Sequence, residues 1–208
     1  MILSSRGNHY IFVQYNYDKN SIHTQLLKNR QTQEITEAWK ACHEHIQQHG
    51  ASPTLHILDN ECSSTNQKAF RKYNVNFQIV PLYTHRRNFA KRVIRTFNNH
   101  ICAGLASCDP SLLSQEWGCL IPQAVLTLNL IRSPRTNTSL YFHAAINSNF
   151  DFNATPLAPP GTKVLVHEAA SNRPSFSTNA VNGYYIGPSL NHYCCYHCYI
   201  PNTASTRH

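Results

Sequence analysis

The sequence is poor in charge and in glycine. Of its 208 residues only 13% are charged, and there are 7 glycines and 11 prolines. Disordered tails and coiled coils need far more charge, and fibrous or low-complexity chains need far more glycine and proline. With 41% hydrophobic residues, the chain can form one large domain, or a medium domain with a small appendage.

Long apolar runs are also missing. No stretch approaches the ~18 apolar residues that a membrane-spanning helix requires, so we expect no membrane partner. The opening segment, MILSSRGNHY, lacks the apolar core of a secretory signal peptide. We therefore expect a nuclear or cytoplasmic protein that is not secreted, in which the 8 scattered cysteines are reduced thiols.

Acidic residues are absent from a central stretch of the chain. Between Glu61 and Asp109 there is none, and the net charge of +8 lies wholly within this stretch, because the other 10 basic residues balance the 10 acidic ones. A positive field concentrated in this way favours a polyanion such as nucleic acid, although a solvated helix face would have the same composition. The eight basic residues of the stretch are Lys68, Arg71, Lys72, Arg86, Arg87, Lys91, Arg92 and Arg95.

The spacing of apolar residues predicts a mixed α/β core. Alternation indicates strands, and apolar residues at three- and four-residue intervals indicate helices. The order hairpin, helix, strand, helix, strand, helix is typical of a ribonuclease-H-like mixed sheet flanked by helices. The predicted elements are strands over 9–17 and 22–27, a helix over 32–49, a strand over 55–58, a helix over 64–73 that starts with a capping box at Ser64, a strand over 76–80, and helices over 88–103 and 109–131.

The composition changes after Asn153. Three prolines and a glycine between residues 156 and 161 form a linker, and the segments that follow are short and β-like. We therefore predict two domains, a core over residues 1–153 and a linker with a small β-barrel-like domain over residues 154–208.

The helix predicted over residues 88–103 has a basic face. Arg87, Lys91 and Arg95 recur at every fourth position, so their side chains lie along one line about 12 Å long. Arg92 flanks this line and Arg86 precedes it. We predict that these five residues bind the phosphates of DNA without reading its sequence.

Three stretches resemble the integrase segment of copia-type retrotransposon polyproteins. Residues 4–30 are similar to that family's second and third strands, and LDNE at 58–61 is similar to the turn that carries its second catalytic aspartate. HRRNFAKRVIRTF at 85–97 is similar to the helix that carries its catalytic glutamate. The segments PPGTKV at 159–164 and GYYIGP at 183–188 fit the small β-domain that follows the core.

The resemblance also implies a catalytic site that is degenerate here. In that family three carboxylates hold two divalent metal ions, Mg²⁺ or Mn²⁺, for an in-line attack on a phosphodiester. By the resemblance, Asp59 is the second acid, and the first would lie on a strand before Ser4, upstream of the first residue of this sequence. The third position, where the family pattern reads Asn-x-Ala-Glu-Arg, holds Lys91. An ammonium about 4 Å from a divalent ion is repelled by roughly 8 kcal/mol at an effective dielectric near 20. We therefore expect that Asp59 is a vestigial metal ligand, that the chain binds no metal pair, and that it does not catalyse the reaction.

We therefore expect a retrotransposon integrase-like protein that binds DNA and is catalytically inactive. The resemblance also implies a homo-oligomer. Three alternatives stay open: a recruited nucleic-acid-binding module, a fragment of an active polyprotein integrase, and an unexpressed relic.

The C-terminal cysteines and histidines form a further candidate site. They lie close together in the sequence and could be zinc ligands. Alternation along a strand, however, sends neighbouring side chains to opposite faces, and the resemblance places a strand without metal here. Zinc therefore stays open at His192, Cys194, Cys195, His197 and Cys198.

Overall fold

The chain forms two compact units that interleave along the sequence. The domain boundary predicted after Asn153 stays a prediction. The computed structural model describes residues 2–58, 62–81, 89–136, 149–169, 171, 173 and 175–207. The first unit comprises Met1–Asn99 and Val125–Asn149, and the second comprises His100–Ala124 and Phe150–His208.

The described elements follow the predicted order of hairpin, helix, strand, helix, strand and helix. They are β1 (Tyr10–Asn16), β2 (Ser21–Leu27), α1 (Thr32–Gln48), β3 (Leu55–Leu58), α2 (Ser64–Lys72), β4 (Asn76–Ile79), α3 (Phe89–Ser107), α4 (Trp117–Leu130), β5 (Lys163–His167), β6 (Ala180–Pro188), β7 (Tyr196–Ile200) and β8 (Ser205–Arg207). None of these helices has the length and apolar character needed to cross a membrane.

The first unit contains both antiparallel and parallel strand pairs. β1 and β2 form an antiparallel hairpin in which Tyr10 pairs with Leu27 and Asn16 with Ser21. β3 and β4 pair in parallel, with Leu58 opposite Ile79 at their carboxyl ends. The mixed α/β class that the sequence predicts is therefore present.

Helix α1 covers a face of both strand pairs. Its apolar stripe is buried, because hydrophobic residues at three- and four-residue intervals share one side of a helix. The ring of Trp39 lies 4.5 Å from the ring of Phe70 on α2, centroid to centroid. Phe12 of β1 and Leu58 of β3 both pack against this cluster, so one aromatic core joins the hairpin to the parallel pair.

One helix start and one helix cap differ from the prediction. α4 begins at Trp117 and not at Asp109, because the Asp109 carboxylate accepts hydrogen bonds from the backbone N–H and the hydroxyl of Ser111 and closes a local turn. The helix continues through Pro122. α2 is capped by Ser63, whose hydroxyl accepts a hydrogen bond from the Asn66 N–H at 3.2 Å, and not by Ser64.

The second unit is built around a four-stranded antiparallel sheet in the order β5, β6, β7, β8. Tyr184, Ile186 and Tyr199 form its core with Cys119 and Leu120 of α4. Arg207 of β8 forms a 3.1 Å ion pair with Glu168, which directly follows β5, so side chains link the two edge strands.

Candidate nucleic-acid interface

Three predicted site residues lie outside the described part of the chain. They are Asp59, which directly follows β3 in the sequence, and Arg86 and Arg87. The roles assigned to Asp59, Arg86 and Arg87 from the sequence therefore stay predictions.

The other three predicted site residues lie together at the start of α3. Val93 and Phe97 are buried, so the opposite side of the helix faces outward. Arg92 and Arg95 are exposed, and Lys91 is half-buried. Lys91 and Arg95 are one helical turn apart and share a face, as the predicted basic line requires.

The two arginines on α3 have no carboxylate partner in the part of the chain that the structure describes. Within the described ranges, neither Arg92 nor Arg95 forms an ion pair with a carboxylate. Uncompensated guanidinium groups attract phosphates and bind them with paired hydrogen bonds. The start of α3 therefore has the electrostatics of a phosphate-binding surface.

A group of aromatic and arginine side chains adjoins this surface, and we call it the Tyr17–Arg135 cluster. It contains Tyr17 after β1, Phe89 and Arg92 on the first turn of α3, and Arg132 and Arg135 after α4. The Tyr17 and Phe89 rings meet edge to face at 4.9 Å. The Arg135 guanidinium lies 4.4 Å from the centroid of Tyr17 and 5.7 Å from that of Phe89, and the Arg92 guanidinium lies 5.3 Å from that of Phe89.

Hydrogen bonds fix the cluster to the turn between β1 and β2. Asn20 adopts a left-handed conformation with φ of 53°, which asparagine tolerates in turns. Its side-chain oxygen accepts hydrogen bonds from the Tyr15 hydroxyl at 2.8 Å and from Arg132 at 3.1 Å, and its Nδ2 donates to the Ser133 carbonyl at 3.0 Å. The turn therefore holds the segment after α4 in place.

The two arginines after α4 have pKa values shifted in opposite directions. Burial lowers the pKa of Arg132, and the positive charge of Arg135 lowers it further. A hydrogen bond to the Tyr15 hydroxyl raises the pKa of Arg135. Two like charges in one short segment form a region of positive potential, which attracts anions.

The described residues do not gather into a metal site. No group of three or more His, Cys, Asp or Glu side chains that could hold a metal ion is found among them, and this search includes the C-terminal cysteines and histidines. The Cys194 thiol instead donates to the Asn153 carbonyl at 3.1 Å, and the Cys195 thiol donates to the Tyr193 carbonyl at 3.4 Å.

Comparison with known proteins identifies a fold and no sequence family. No family model matches the sequence, and no curated protein matches it. Among solved structures, the catalytic core domain of HTLV-2 integrase in complex with magnesium (trimeric form) has a TM-score of 0.45 at 19% identity, covering 59% of this chain and 74% of that chain. The catalytic core domain of BIV integrase has a TM-score of 0.45 at 13% identity, covering 59% and 76%.

A third likeness extends over nearly the whole chain. A chain in the simian T-cell lymphotropic virus intasome, in complex with PP2A regulatory subunit B56 gamma, has a TM-score of 0.54 at 13% identity. It covers 99% of this chain and 71% of that chain. The fold is therefore integrase-like, which confirms the fold class predicted from the sequence.

Proposed function

We propose that this protein is an integrase-related, retrotransposon-derived protein that binds DNA without sequence preference and does not catalyse strand transfer. The observation that carries the proposal is the basic start of α3 within an integrase-like fold, with Lys91 at the position that resembles the family's glutamate. The proposal includes a homo-oligomer, because the sequence resembles the integrases of copia-type retrotransposons.

Charge supports the binding part of the proposal. Residues between Glu61 and Asp109 hold eight positive charges and no negative one. Arg92 and Arg95 project from α3 without a carboxylate partner in the described structure. Since phosphates are the same in every sequence, a surface of this kind binds duplexes of unrelated sequence with similar affinity.

The chemistry of Lys91 supports the non-catalytic part. A divalent magnesium ion requires oxygen ligands, and an ammonium has three N–H donors and no acceptor. Lys91 and the other residues that the structure describes therefore do not fit a two-metal site.

Fluorescence anisotropy with two blunt duplexes of unrelated sequence tests the proposal. We expect the two dissociation constants to agree within about threefold, because phosphate contacts carry no base identity. If four or five phosphates are contacted, a plot of log affinity against log salt has a slope of about −4 on B-DNA. The absence of binding at 50 mM salt, or a strong preference for one sequence, would contradict the proposal.

A further inference from the structure

The Tyr17–Arg135 cluster exposes aromatic surface in the middle of positive charge. Tyr17 is 47% exposed and Phe89 is 37% exposed. The Phe89 ring has two guanidinium groups near it, that of Arg92 on α3 at 5.3 Å and that of Arg135 after α4 at 5.7 Å from its centroid. Exposed rings surrounded by guanidinium groups are typical of surfaces that recognise stacked, negatively charged ligands.

The positive charge of the cluster is available to a ligand. Among the residues that the structure describes, none of Arg92, Arg132 and Arg135 forms an ion pair. Asp18 directly follows Tyr17 in the sequence. Its backbone carbonyl accepts a hydrogen bond from the backbone N–H of Arg135 at 2.9 Å. An anion that reached these arginines would meet no carboxylate that is already bound to them.

The cluster is also ordered before any ligand arrives. Asn20 ties Arg132 and the Ser133 backbone to the turn after β1, and Arg135 donates to the Tyr15 hydroxyl at 3.4 Å. A ligand therefore binds without the entropic cost of ordering these side chains, which favours affinity.

We propose that the Tyr17–Arg135 cluster binds unpaired nucleotides, such as the single-stranded end of a DNA duplex, and this proposal rests on the DNA binding proposed above. Within a duplex the bases stack on one another and present mainly phosphates to a protein, whereas an unpaired base can stack on an aromatic ring or a guanidinium plane. Tyr17 and Phe89 supply the rings, and Arg132 and Arg135 supply the partners for the flanking phosphates. Arg92 belongs both to this cluster and to the basic face of α3, so a duplex on α3 can extend its unpaired end onto the rings.

The test compares a blunt duplex with the same duplex carrying a five-nucleotide single-stranded overhang, using the full chain. We expect the overhang to tighten binding about tenfold, because one stacked base contributes on that scale. A 2-aminopurine base in the overhang should lose fluorescence on binding as it stacks. Tyr17→Ala and Arg135→Gln should each remove the preference for the overhang and the quenching, while leaving the affinity for the blunt duplex within about twofold.

Two further variants control for folding and for general loss of an exposed ring. Tyr17→Phe keeps the ring and should keep the preference. Tyr10→Ala is the matched control, because Tyr10 is also exposed, lies at the other end of β1, and carries the Arg30 guanidinium 4.5 Å from its ring centroid. It should leave the preference for the overhang unchanged.

Two outcomes would overturn the proposal, and they are distinguishable. If the blunt and overhanging duplexes bind equally, or if Tyr10→Ala and Tyr17→Ala have the same effect, the cluster is not a nucleotide site while the proposed DNA binding stands. If neither duplex binds at 50 mM salt, both the cluster proposal and the proposed function fail.

Discussion

The side chain of Asn129 pairs with the backbone of Ile22 in the way that a neighbouring strand would. The Ile22 N–H donates to Asn129 Oδ1 at 2.9 Å, and Asn129 Nδ2 donates to the Ile22 carbonyl at 2.9 Å. Both residues are buried. One amide near the end of α4 thus satisfies both backbone polar groups of Ile22.

Replacing Asn129 by alanine should strongly destabilise the fold. The change leaves a buried N–H and a buried carbonyl without partners, and each such group costs about 1–3 kcal/mol. We expect the free energy of unfolding, measured with urea, to fall by about 2–4 kcal/mol. Asn98→Ala, at an exposed position of α3, is the control and should change it by less than about 0.5 kcal/mol. Similar values for the two variants would show that the Ile22 contacts contribute little.

Stability should fall as the pH is lowered through the range where free histidine titrates. Burial, followed by the charges of His45 and His49, lowers the pKa of His23 to about 3. Burial, followed by the charge of His43, lowers that of His56 to about 4. The unfolded chain binds these protons near pH 6.5 and the folded chain does not, so stability is complete above pH 6.5 and decreases between pH 6.5 and about 4.

Each of these two histidines should reduce the free energy of unfolding by up to about 1.4 kcal/mol per pH unit in that window. Urea unfolding at pH 7, 6 and 5 measures the slope. His23→Gln can keep a hydrogen bond to the Ser21 hydroxyl, which lies 2.9 Å from His23 Nε2, and should remove about half of the slope contributed by the pair. If the free energy of unfolding did not change between pH 7 and 5, the folded chain would not be keeping His23 and His56 neutral.

Gly161 should be sensitive to substitution because of both its backbone and its surroundings. Its φ is +72°, and an added Cβ would lie 2.3 Å from the Cys108 Sγ. Gly50 has nearly the same φ, +71°, with open space around it. Gly50→Ala therefore measures the backbone cost alone, about 1 kcal/mol, and Gly161→Ala should exceed it by about 1–3 kcal/mol because of overpacking. Equal losses of stability in thermal unfolding would show that the site relaxes around the methyl group.

Metal binding should be weak. Because Lys91 stands where the resemblance expects a carboxylate ligand, titration with Mg²⁺ or Mn²⁺ should show no saturable site tighter than millimolar. Isothermal titration calorimetry measures this directly. A stoichiometric two-ion isotherm would show that other carboxylates complete the site.

The sequence predicted the elements whose residues carry a regular pattern. The hairpin and α1 agree with prediction to within about one residue at each end, because alternation and a buried stripe reflect packing that the local sequence encodes. The predicted start of α4 was wrong because Asp109 closes a turn with Ser111. An aspartate followed by a proline is typical both of a helix N-terminus and of a turn, so the sequence did not distinguish them. Strand β8 was missed because its three residues are too few to show a period.

The Tyr17–Arg135 cluster could not be predicted from the sequence. Tyr15 and Arg135, which hydrogen-bond to each other, are 120 residues apart along the chain. Neither arginine after α4 belongs to a run of basic residues, and nothing in the local pattern indicates that this segment returns to the hairpin turn. The basic face of α3 differs in this respect, because helical periodicity alone places Lys91 and Arg95 together.

The effect of Lys91→Glu on the salt dependence of DNA binding tests the central claim most directly. If Lys91 contacts a phosphate, the substitution should weaken binding to a blunt duplex and reduce the magnitude of the log–log salt slope by about one. Lys28→Glu changes the net charge by the same amount at an exposed position outside α3, and it should leave the slope unchanged. Equal slopes for the wild-type chain and Lys91→Glu, or equal reductions in both variants, would contradict a DNA-binding surface at the start of α3.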